Sequence, residues 1–366
     1  MVPMTDDMFA MPIDEIRPGS TVPFPLFIYF PVSDRYVIAS IPHAFFDESA
    51  IERIGSRLKS VWVPQKYKAE YQKYLKSGDA PLPAPKPLTL PRVSPREVAR
   101  EAEEIAEADA LAKEFRAAAV DENLSNTEKQ RLFSDLSRQA LDSLVCIDSV
   151  DPEEKRRGLR KCGQIAYEII LLASVSSNLH KEILQIRSFR GDLDHSVVVS
   201  AIAAMFAMGI GVLENEDLQA ITLAAFLHDI GMARVPLPLQ EKAYSDLSDS
   251  EFAQMAEHVD GAVKVLAESG LELSETILDA IRQHHERFDG SGYPLGLSGE
   301  MLSDHAQIVA AADWWDELTC GKIDGVKHSP LEAFEIVLGE PGPRESRRLN
   351  PELVEEFRRI FDPHNV

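Results

Sequence analysis

Short apolar and aromatic runs separated by turn residues dominate the first 80 residues. The runs PFPLFIYFPV, RYVIASI and SVWVP are rich in aromatic and β-branched residues, and Pro, Gly and Asp-Arg turns interrupt them. This alternation predicts three or four short strands. Between the second and third runs, the apolar spacing of Ile51, Ile54 and Leu58 predicts one helix over Ser49 to Leu58. We therefore expect a small α/β domain over residues 12–78.

A proline-rich stretch follows that domain. The sequence GDAPLPAPKPLTLPRVSP, which includes residues 79–95, holds six prolines. Proline removes a backbone donor and fixes φ, so this stretch can form neither a helix nor a central strand. We interpret residues 79–95 as a linker between domains.

Helical patterns without strand signals run from the linker to the C-terminus. They predict a helical connecting segment over residues 96–185 and an all-helical domain over residues 186–366, so the chain as a whole is predicted to be mainly α. Ser329-Pro330 and Asn350-Pro351 combine a capping residue with Pro at the first helical position, which predicts the starts of the last two helices. Heptad-like Leu and Ile spacing in Leu132 to Leu184 predicts either a helical homodimer or packing within the chain.

The most apolar run, Val197 to Leu213, is at the lower length limit for crossing a bilayer. Acidic residues flank it at both ends, whereas a spanning helix usually has Lys or Arg on its cytoplasmic side. We therefore predict a buried core helix and no membrane span. The first ten residues lack the basic and apolar regions of a signal peptide, and the three cysteines are too scattered for a disulfide framework. Together these features predict a cytoplasmic protein.

Composition and charge restrict the classes of partner. The chain has 366 residues and 45% hydrophobic composition, enough for cores in two or three domains. Its 38 Lys and Arg against 60 Asp and Glu give a net charge of −22, which repels phosphate backbones and anionic lipid surfaces. We exclude a nucleic acid polymer as partner, and any smaller anionic ligand must be attracted locally.

Histidines cluster in the helical part of the chain, where seven of the ten lie between His195 and His328. Five of these histidines and two aspartates fall on successive helices at intervals of one helix plus a loop. On each helix they occupy the apolar side; for example, His284 and His285 lie three and four residues after Ile281, where the next core residues belong. The full set is His195, His228, Asp229, His258, His284, His285 and Asp313.

Divalent metal ions are the simplest explanation for so many buried polar groups. An unpaired polar group in a core is costly, and neutral imidazole and carboxylate are good ligands for transition ions. A single buried histidine is more often a hydrogen-bonded core residue, but seven such residues in register favour metal. They are too many for one ion, whereas two ions sharing Asp229 as a bridge would use them all, and such pairs activate water for attack at phosphorus.

The other five histidines are interpreted as surface or structural residues, and Trp314 and Trp315 as packing residues. These histidines are His43, His180, His305, His328 and His364.

Two motifs carry a specific family resemblance. HDIG at His228 to Gly231, and HHERFDGSGYP from His284 to Pro294, resemble the signatures of the HD-GYP family over about Ile186 to Pro341. The N-terminal MPIDEIRPGSTV is similar to a small domain of unknown function that often precedes such modules. The resemblance implies an all-helical HD-GYP domain whose metal ligands are the seven residues above.

The resemblance also implies a function. HD-GYP proteins similar to this chain are bacterial phosphodiesterases that linearise the second messenger cyclic di-GMP to pGpG, and often on to GMP, at an iron or manganese centre. It implies catalytic roles for Asp229 and Lys322. It also implies partner contacts with GGDEF-type or other signalling proteins through the loop from Asp289 to Pro294, which we call the GYP loop. The implied substrate-binding residues are Asp289, Gly290, Gly292, Tyr293, Pro294 and Lys322.

The number and identity of the metal ions follow from the same resemblance. Family members with a third metal have Glu one turn before the first His, where this chain has Gly191, with Asp192 as the nearest substitute. We therefore predict two divalent ions, iron first and manganese as the alternative.

Departures from the family pattern support an alternative function. Met232 stands where the family usually has a Lys that holds the scissile phosphate, and a thioether neither carries charge nor donates a hydrogen bond. Lys322 aligns where Arg is usual and Gly325 where a second Lys often stands, with Lys327 nearby. The alternative is a catalytically weak or inactive receptor that binds metal and cyclic di-GMP and signals through the Tyr293-Pro294 face or the helical segment 97–184. A third hypothesis is an HD-type hydrolase of another nucleotide.

Overall fold

The computed structural model describes the parts of the chain on which all structural statements rest. These are residues 8–30, 35–40, 44–46, 48, 51, 59–76, 98–121, 123–145, 152–175, 195–212, 214–270, 272–339 and 348–361. The predicted linker lies outside the described residues, as do Gly191, Asp192, His43, His180 and His364, and nearly all of the helix predicted over Ser49 to Leu58.

The N-terminal region is a small antiparallel β-structure followed by one helix. Its strands are β1 (Met8–Pro12), β2 (Ser20–Val22), β3 (Leu26–Phe30), β4 (Arg35–Ser40), β5 (Ala44–Phe46) and β6 (Ser60–Pro64), and α1 spans Lys68–Lys76. A four-stranded sheet has the order β1-β6-β3-β4, and β2 pairs separately with β5. In the register of the first pair, Met8 lies opposite Pro64 and Pro12 opposite Ser60.

The described part of this region contains six strands, so the prediction of three or four was too low. Strands β2 and β5 have three residues each, too few for an alternation of polar and apolar residues to show. Strand β1 begins at Met8, four residues before the predicted domain start. The α/β character of this region is as predicted, while the domain boundaries themselves stay predictions.

The rest of the described chain is helical. Its helices are α2 (Val98–Val120), α3 (Asn126–Val145), α4 (Pro152–Val175), α5 (His195–Gly209), α6 (Asn215–Leu227), α7 (Leu237–Gln240), α8 (Asp249–Ala267), α9 (Glu275–Gln283), α10 (Asp304–Cys320), α11 (Pro330–Leu338) and α12 (Pro351–Phe361). The mainly α fold predicted from the periodicity is therefore confirmed. Among the described residues, no helix is long and apolar enough to cross a membrane.

Helix starts follow the local capping signals. The Ser329 hydroxyl accepts from the Glu332 amide at 3.2 Å while the Glu332 carboxylate accepts from the Ser329 amide at 2.8 Å, which is a capping box at the start of α11. Asn350 Oδ1 accepts from the Glu352 amide at 2.9 Å at the start of α12. Both predicted helix starts are confirmed.

The connecting helices pack onto the C-terminal helices through one continuous core. Helix α4 contacts α2, α3, α5 and α6, and buried Leu136, Leu144, Leu159 and Ile165 belong to the same apolar cluster as Val199 and Ile221. The apolar face of the heptad-like region is thus used within the chain. This core holds α5, α6, α8, α9 and α10 around one interior point.

Candidate metal centre

Five helices place the seven predicted ligands at that point. His195 begins α5, His258 lies in the middle of α8 and Asp313 in the middle of α10. The pairs His228-Asp229 and His284-His285 directly follow the last residues of α6 and α9, where the chain turns and both neighbours can reach inward.

All seven come together in the structure, in two adjacent groups. Within each group the potential ligand atoms lie within 4.8 Å of one another. The first group is His195, His228 and Asp313, and the second is Asp229, His258, His284 and His285.

The Nε2 atoms of four histidines point at a common space. His195 Nε2 and His228 Nε2 are 3.1 Å apart, and His258 Nε2 and His284 Nε2 are 3.3 Å apart. The imidazoles of His228, His258 and His284 are almost completely buried.

The other ring nitrogen of each of these histidines is already occupied. Nδ1 donates to a carbonyl three residues earlier at 2.7 Å in His228, 2.8 Å in His258 and 2.6 Å in His284. In His195, Nδ1 donates to Asp316 Oδ2 at 2.7 Å. Because a carbonyl oxygen can only accept, these contacts place the proton of the neutral ring on Nδ1 and leave Nε2 as a lone pair for a cation.

The two aspartates complete the donor set. Asp313 Oδ1 is buried without a hydrogen-bond partner, 3.2 Å from His195 Nε2 and 3.5 Å from His228 Nε2. Asp229 lies between the groups, with Oδ2 at 3.6 Å from His195 Nε2 and Oδ1 at 3.2 Å from His258 Nε2. A single proton can bridge one of these close pairs of nitrogen and oxygen atoms, whereas two divalent cations can bind all of them. The donors therefore fit two metal ions with Asp229 between them.

The electrostatic environment keeps most of these groups in the form that binds metal. Burial and the neighbouring imidazoles of His228 and His258 lower the pKa of His284 to about 3. Burial and the same kind of neighbours also lower the pKa of His285. For Asp229, burial alone would raise the pKa, but His228 and His258 hold it well below its ordinary value. In His195, burial lowers the pKa while Asp313 and Asp316 more than reverse this effect.

The sequence alone assigned no role to three residues that support the site. Asp316 is fully buried and orients His195; its spacing from Asp313 along α10 was the signal that could have revealed it. Glu286, directly after the His pair, is also buried, and its two carboxylate oxygens accept from the amides of Leu295 at 2.6 Å and Leu297 at 2.9 Å. At Gly231 of HDIG, a Cβ would lie 1.9 Å from the carbonyl oxygen of His258, so only glycine allows this approach.

The GYP loop reaches the cluster through its tyrosine. The Tyr293 ring stacks on His285, with a centroid distance of 4.7 Å and an interplanar angle of 26°. Asp289 instead shapes the loop, because Oδ1 accepts from both the amide and the hydroxyl of Ser291. Gly290 has a φ of 80°, and a Cβ at Gly292 would lie 2.4 Å from the Arg287 amide nitrogen. Pro294 follows as an exposed residue.

Lys322 and Met232 are both engaged in packing next to the site. Lys322 Nζ donates to the carbonyls of Gln240 and Lys242, the latter at 2.8 Å, and lies 5.2 Å from the centroid of the Tyr244 ring. The Met232 side chain packs against a small apolar cluster that includes Met255. Lys322 therefore fastens the segment after HDIG to the end of α10.

Glu317 adds a further buried carboxyl one turn after Asp313. Burial and the charge of Asp313 raise its pKa well above the ordinary value, and Tyr244 hydrogen-bonds its side chain. The raised pKa favours the protonated form, so this residue adds little negative charge to the cluster.

Trp314, Trp315 and His305, which the sequence predicts to be packing or structural residues, lie outside the two ligand groups. Trp315 is buried in the main core, and the Arg348 guanidinium lies 4.3 Å from the Trp314 ring centroid. His305 pairs with Asp217 at 3.3 Å, away from the seven-residue cluster.

Comparisons with known proteins identify an HD domain in the part of the chain that carries this site. Residues 173–343 match the family model described as HD domain. A Pseudomonas aeruginosa protein named cyclic di-GMP phosphodiesterase PA4108 is 35% identical over 125 residues, 34% of this chain and 30% of that protein. A Vibrio cholerae protein named 3'3'-cGAMP-specific phosphodiesterase 2 is 33% identical over 145 residues, 39% of this chain and 26% of that protein. The chain therefore matches less than a third of the length of each.

A solved structure shares the fold. It is Bd1817, a HDG"Y"P protein from Bdellovibrio bacteriovorus, with a TM-score of 0.51 and 16% identity over 97% of this chain and 100% of that one. The family model assigns an HD domain to residues 173–343, and this neighbour shows that the fold of the chain is shared with a protein described as HDG"Y"P.

Proposed function

We propose that the chain is a metal-dependent phosphodiesterase that hydrolyses cyclic di-GMP to pGpG, GMP or both in bacterial second-messenger signalling. The observation that carries this proposal is the convergence of seven imidazole and carboxylate side chains in two groups with Asp229 between them. The name of the Pseudomonas relative supports the choice of substrate.

Each group would hold one divalent cation. His195, His228 and Asp313 would bind the first, and His258, His284 and His285 the second, with Asp229 shared. Bound there, the cations would supply Lewis acidity toward phosphate oxygens and lower the pKa of water. The mixed donor set suits iron, our first choice, and manganese, the alternative. The protein's own contribution is the fixed orientation of each ring through its Nδ1 donor bond.

The substrate contacts belong to the same proposal. Tyr293 and Pro294 would line the pocket, with Asp289, Gly290 and Gly292 holding the loop in shape. Lys322 stays a predicted phosphate contact: two of its three ammonium hydrogens bond to the carbonyls of Gln240 and Lys242, which leaves one for a phosphate. The cytoplasmic location, contacts of the GYP loop with GGDEF-type proteins and homodimer formation are likewise predictions.

A receptor without turnover is the second candidate, and a specific observation favours it. The two positions where the resemblance implies phosphate-holding cations carry Met232, which packs against apolar residues, and Lys322, whose ammonium is already hydrogen-bonded. A phosphate bound between the metal ions would then receive less stabilisation in the transition state.

Product analysis of the full chain separates these candidates. Protein loaded anaerobically with Fe²⁺ or Mn²⁺ is incubated with cyclic di-GMP, and chromatography should show pGpG or GMP. We expect His284→Asn to abolish turnover, and His328→Asn, at a histidine that pairs with Asp324 outside the cluster, to retain it. Binding of cyclic di-GMP without products would favour the receptor, and a gain of activity in Met232→Lys would identify the substitution as the cause. Absence of both binding and products would contradict the proposal.

A further inference from the structure

A row of aromatic rings leads from the metal cluster to the protein surface. The His285 ring lies 5.1 Å from that of His258, and Tyr293 stacks on His285. The Phe252 ring then meets Tyr293 edge-to-face, with a centroid distance of 5.4 Å and an angle of 81°. Phe252 is 38% exposed, so the row ends in solvent.

Phe252 is held in place although it lies outside the core. It lies one helical turn before buried Met255 on α8, and its ring contacts Tyr293 of the GYP loop. Its neighbour Glu251 closes a capping box with Ser248 and binds Lys242 Nζ at 2.7 Å. The first turn of α8 is therefore anchored, and the exposed ring has a defined position.

We propose that the exposed ring of Phe252, braced edge-to-face by Tyr293, is a stacking platform for a purine base of the nucleotide substrate. The proposal rests on the function proposed above, with the phosphate at the metal centre. Only two ring contacts separate Phe252 from His285, so a base on the platform stays within the reach of one nucleoside from that phosphate.

The net negative charge of the chain favours recognition by base stacking, which does not depend on charge. With a net charge of −22, the protein repels an anionic ligand at long range. Near the cluster, Met232 packs against apolar residues, and the Lys322 ammonium shares its charge with two backbone carbonyls. Stacking on an aromatic face contributes affinity without charge, about 1–3 kcal/mol per base.

The platform also predicts a pattern of specificity. Every base has a π-face, so stacking by itself does not separate guanine from adenine, whereas the larger purine rings cover more of the platform than pyrimidines do. We expect cyclic dinucleotides with guanine or adenine to bind more tightly than cyclic di-UMP.

Binding measurements on Phe252 variants test the platform. Calorimetric titration of the metal-loaded full chain with a phosphorothioate analogue of cyclic di-GMP reports Kd without needing turnover. We expect Phe252→Ala and Phe252→Leu to raise Kd roughly 5- to 150-fold, and Phe252→Trp to stay close to wild type. The control Leu331→Ala removes another exposed apolar side chain, on α11, and should leave Kd unchanged. Cyclic di-UMP should lose less affinity than the guanine analogue in the same variants.

The results separate the platform from the proposed function. Because Phe252→Leu keeps an apolar side chain but removes the ring, a wild-type Kd in this variant would overturn the platform. A variant that also loses its metal would do the same, since the ring would then be a structural part of the cluster. Wild-type protein that binds the analogue but cleaves no cyclic di-GMP contradicts the enzyme and leaves the platform standing. Wild-type protein that binds no cyclic dinucleotide overturns both.

Discussion

At the scale of single residues, the site depends on the histidine Nδ1 atoms, which point away from the centre of the cluster. In three histidines, Nδ1 donates to the carbonyl three residues earlier, so the local helical backbone itself sets the tautomer. His195 is different because it begins its helix and takes its acceptor, Asp316, from α10. This contact is the one orienting bond among the four that a side-chain substitution can remove.

We predict that Asp316→Asn weakens metal binding by about 10- to 100-fold, because the His195 ring loses an anionic acceptor. Competition with a chromogenic chelator and elemental analysis would measure the change. Asp324→Asn, at an exposed aspartate on the loop after α10, should keep wild-type affinity. Equal affinity in both variants would contradict an orienting role for Asp316.

The buried imidazole of His284 predicts acid sensitivity in the metal-free protein. Its pKa of about 3 lies below the ordinary value of 6.5, so the unfolded chain binds a proton that the folded chain does not. The resulting stability is present above pH 6.5 and is lost as the pH falls toward 3, with a loss of about 2 kcal/mol at pH 5. Urea unfolding at pH 7 and pH 5 should show a smaller pH effect in His284→Asn than in wild type, while His328→Asn keeps the wild-type effect. The same pH effect in all three proteins would refute this assignment.

At the scale of elements, close contacts between helices decide which glycines can be replaced. The turn Ile230–Arg234, which contains the last two residues of HDIG, packs directly on α8 because Gly231 has no side chain. Helices α3 and α4, away from the site, also come close together at a glycine. A Cβ at Gly158 would lie 2.8 Å from Ser143 Cβ and 3.0 Å from the Ala140 carbonyl oxygen.

Two alanine substitutions in α4 should therefore have opposite effects. We expect Gly158→Ala to lower the free energy of unfolding by about 1–3 kcal/mol, because the helices must separate. Gly163→Ala, where a Cβ meets nothing within 4 Å, should raise it by up to about 1 kcal/mol through helix propensity. Equilibrium denaturation gives both values, and a loss at Gly163 matching that at Gly158 would show that the packing described between α3 and α4 is wrong.

At the scale of the whole molecule, five helices meet at a single cluster of ligand side chains. The cluster includes two carboxylates and five imidazoles in a largely buried space. The same core continues through α4 into α2 and α3. Occupancy of the centre should therefore affect the stability of the helical part as a unit.

We predict that metal removal lowers the stability of the protein cooperatively. At a free metal concentration of 100 times Kd, bound metal should add about 2.7 kcal/mol to the free energy of unfolding. Differential scanning calorimetry before and after chelation would show the change as a lower Tm. The double variant His258→Asn/His284→Asn should respond less to metal, because only the group of His195, His228 and Asp313 stays complete, whereas His305→Asn should respond like wild type. A Tm independent of metal in the wild-type protein would contradict the centre.

Periodicity along single helices was enough to predict the mainly α fold, the starts of α11 and α12, and a set of inward-facing residues that the structure brings together. His284 and His285 could be recognised because Ile281 defines the buried face of the same helix. Short strands could not be counted in this way, because three residues such as Ser20–Val22 show no period and acquire their pairing only from Ala44–Phe46.

Tertiary structure alone decided which partners these residues meet. Asp316 lies 121 residues from His195 along the chain, Lys322 is 82 residues from Gln240, and the Phe252–Tyr293 contact joins a helix to a loop. A hydrophobic period records which side of a helix is buried, but it carries no information on the neighbour that covers that side. The composition of the cluster was therefore a property of the sequence, while the orientation of its rings and the path to its surface arose from the packing of distant segments.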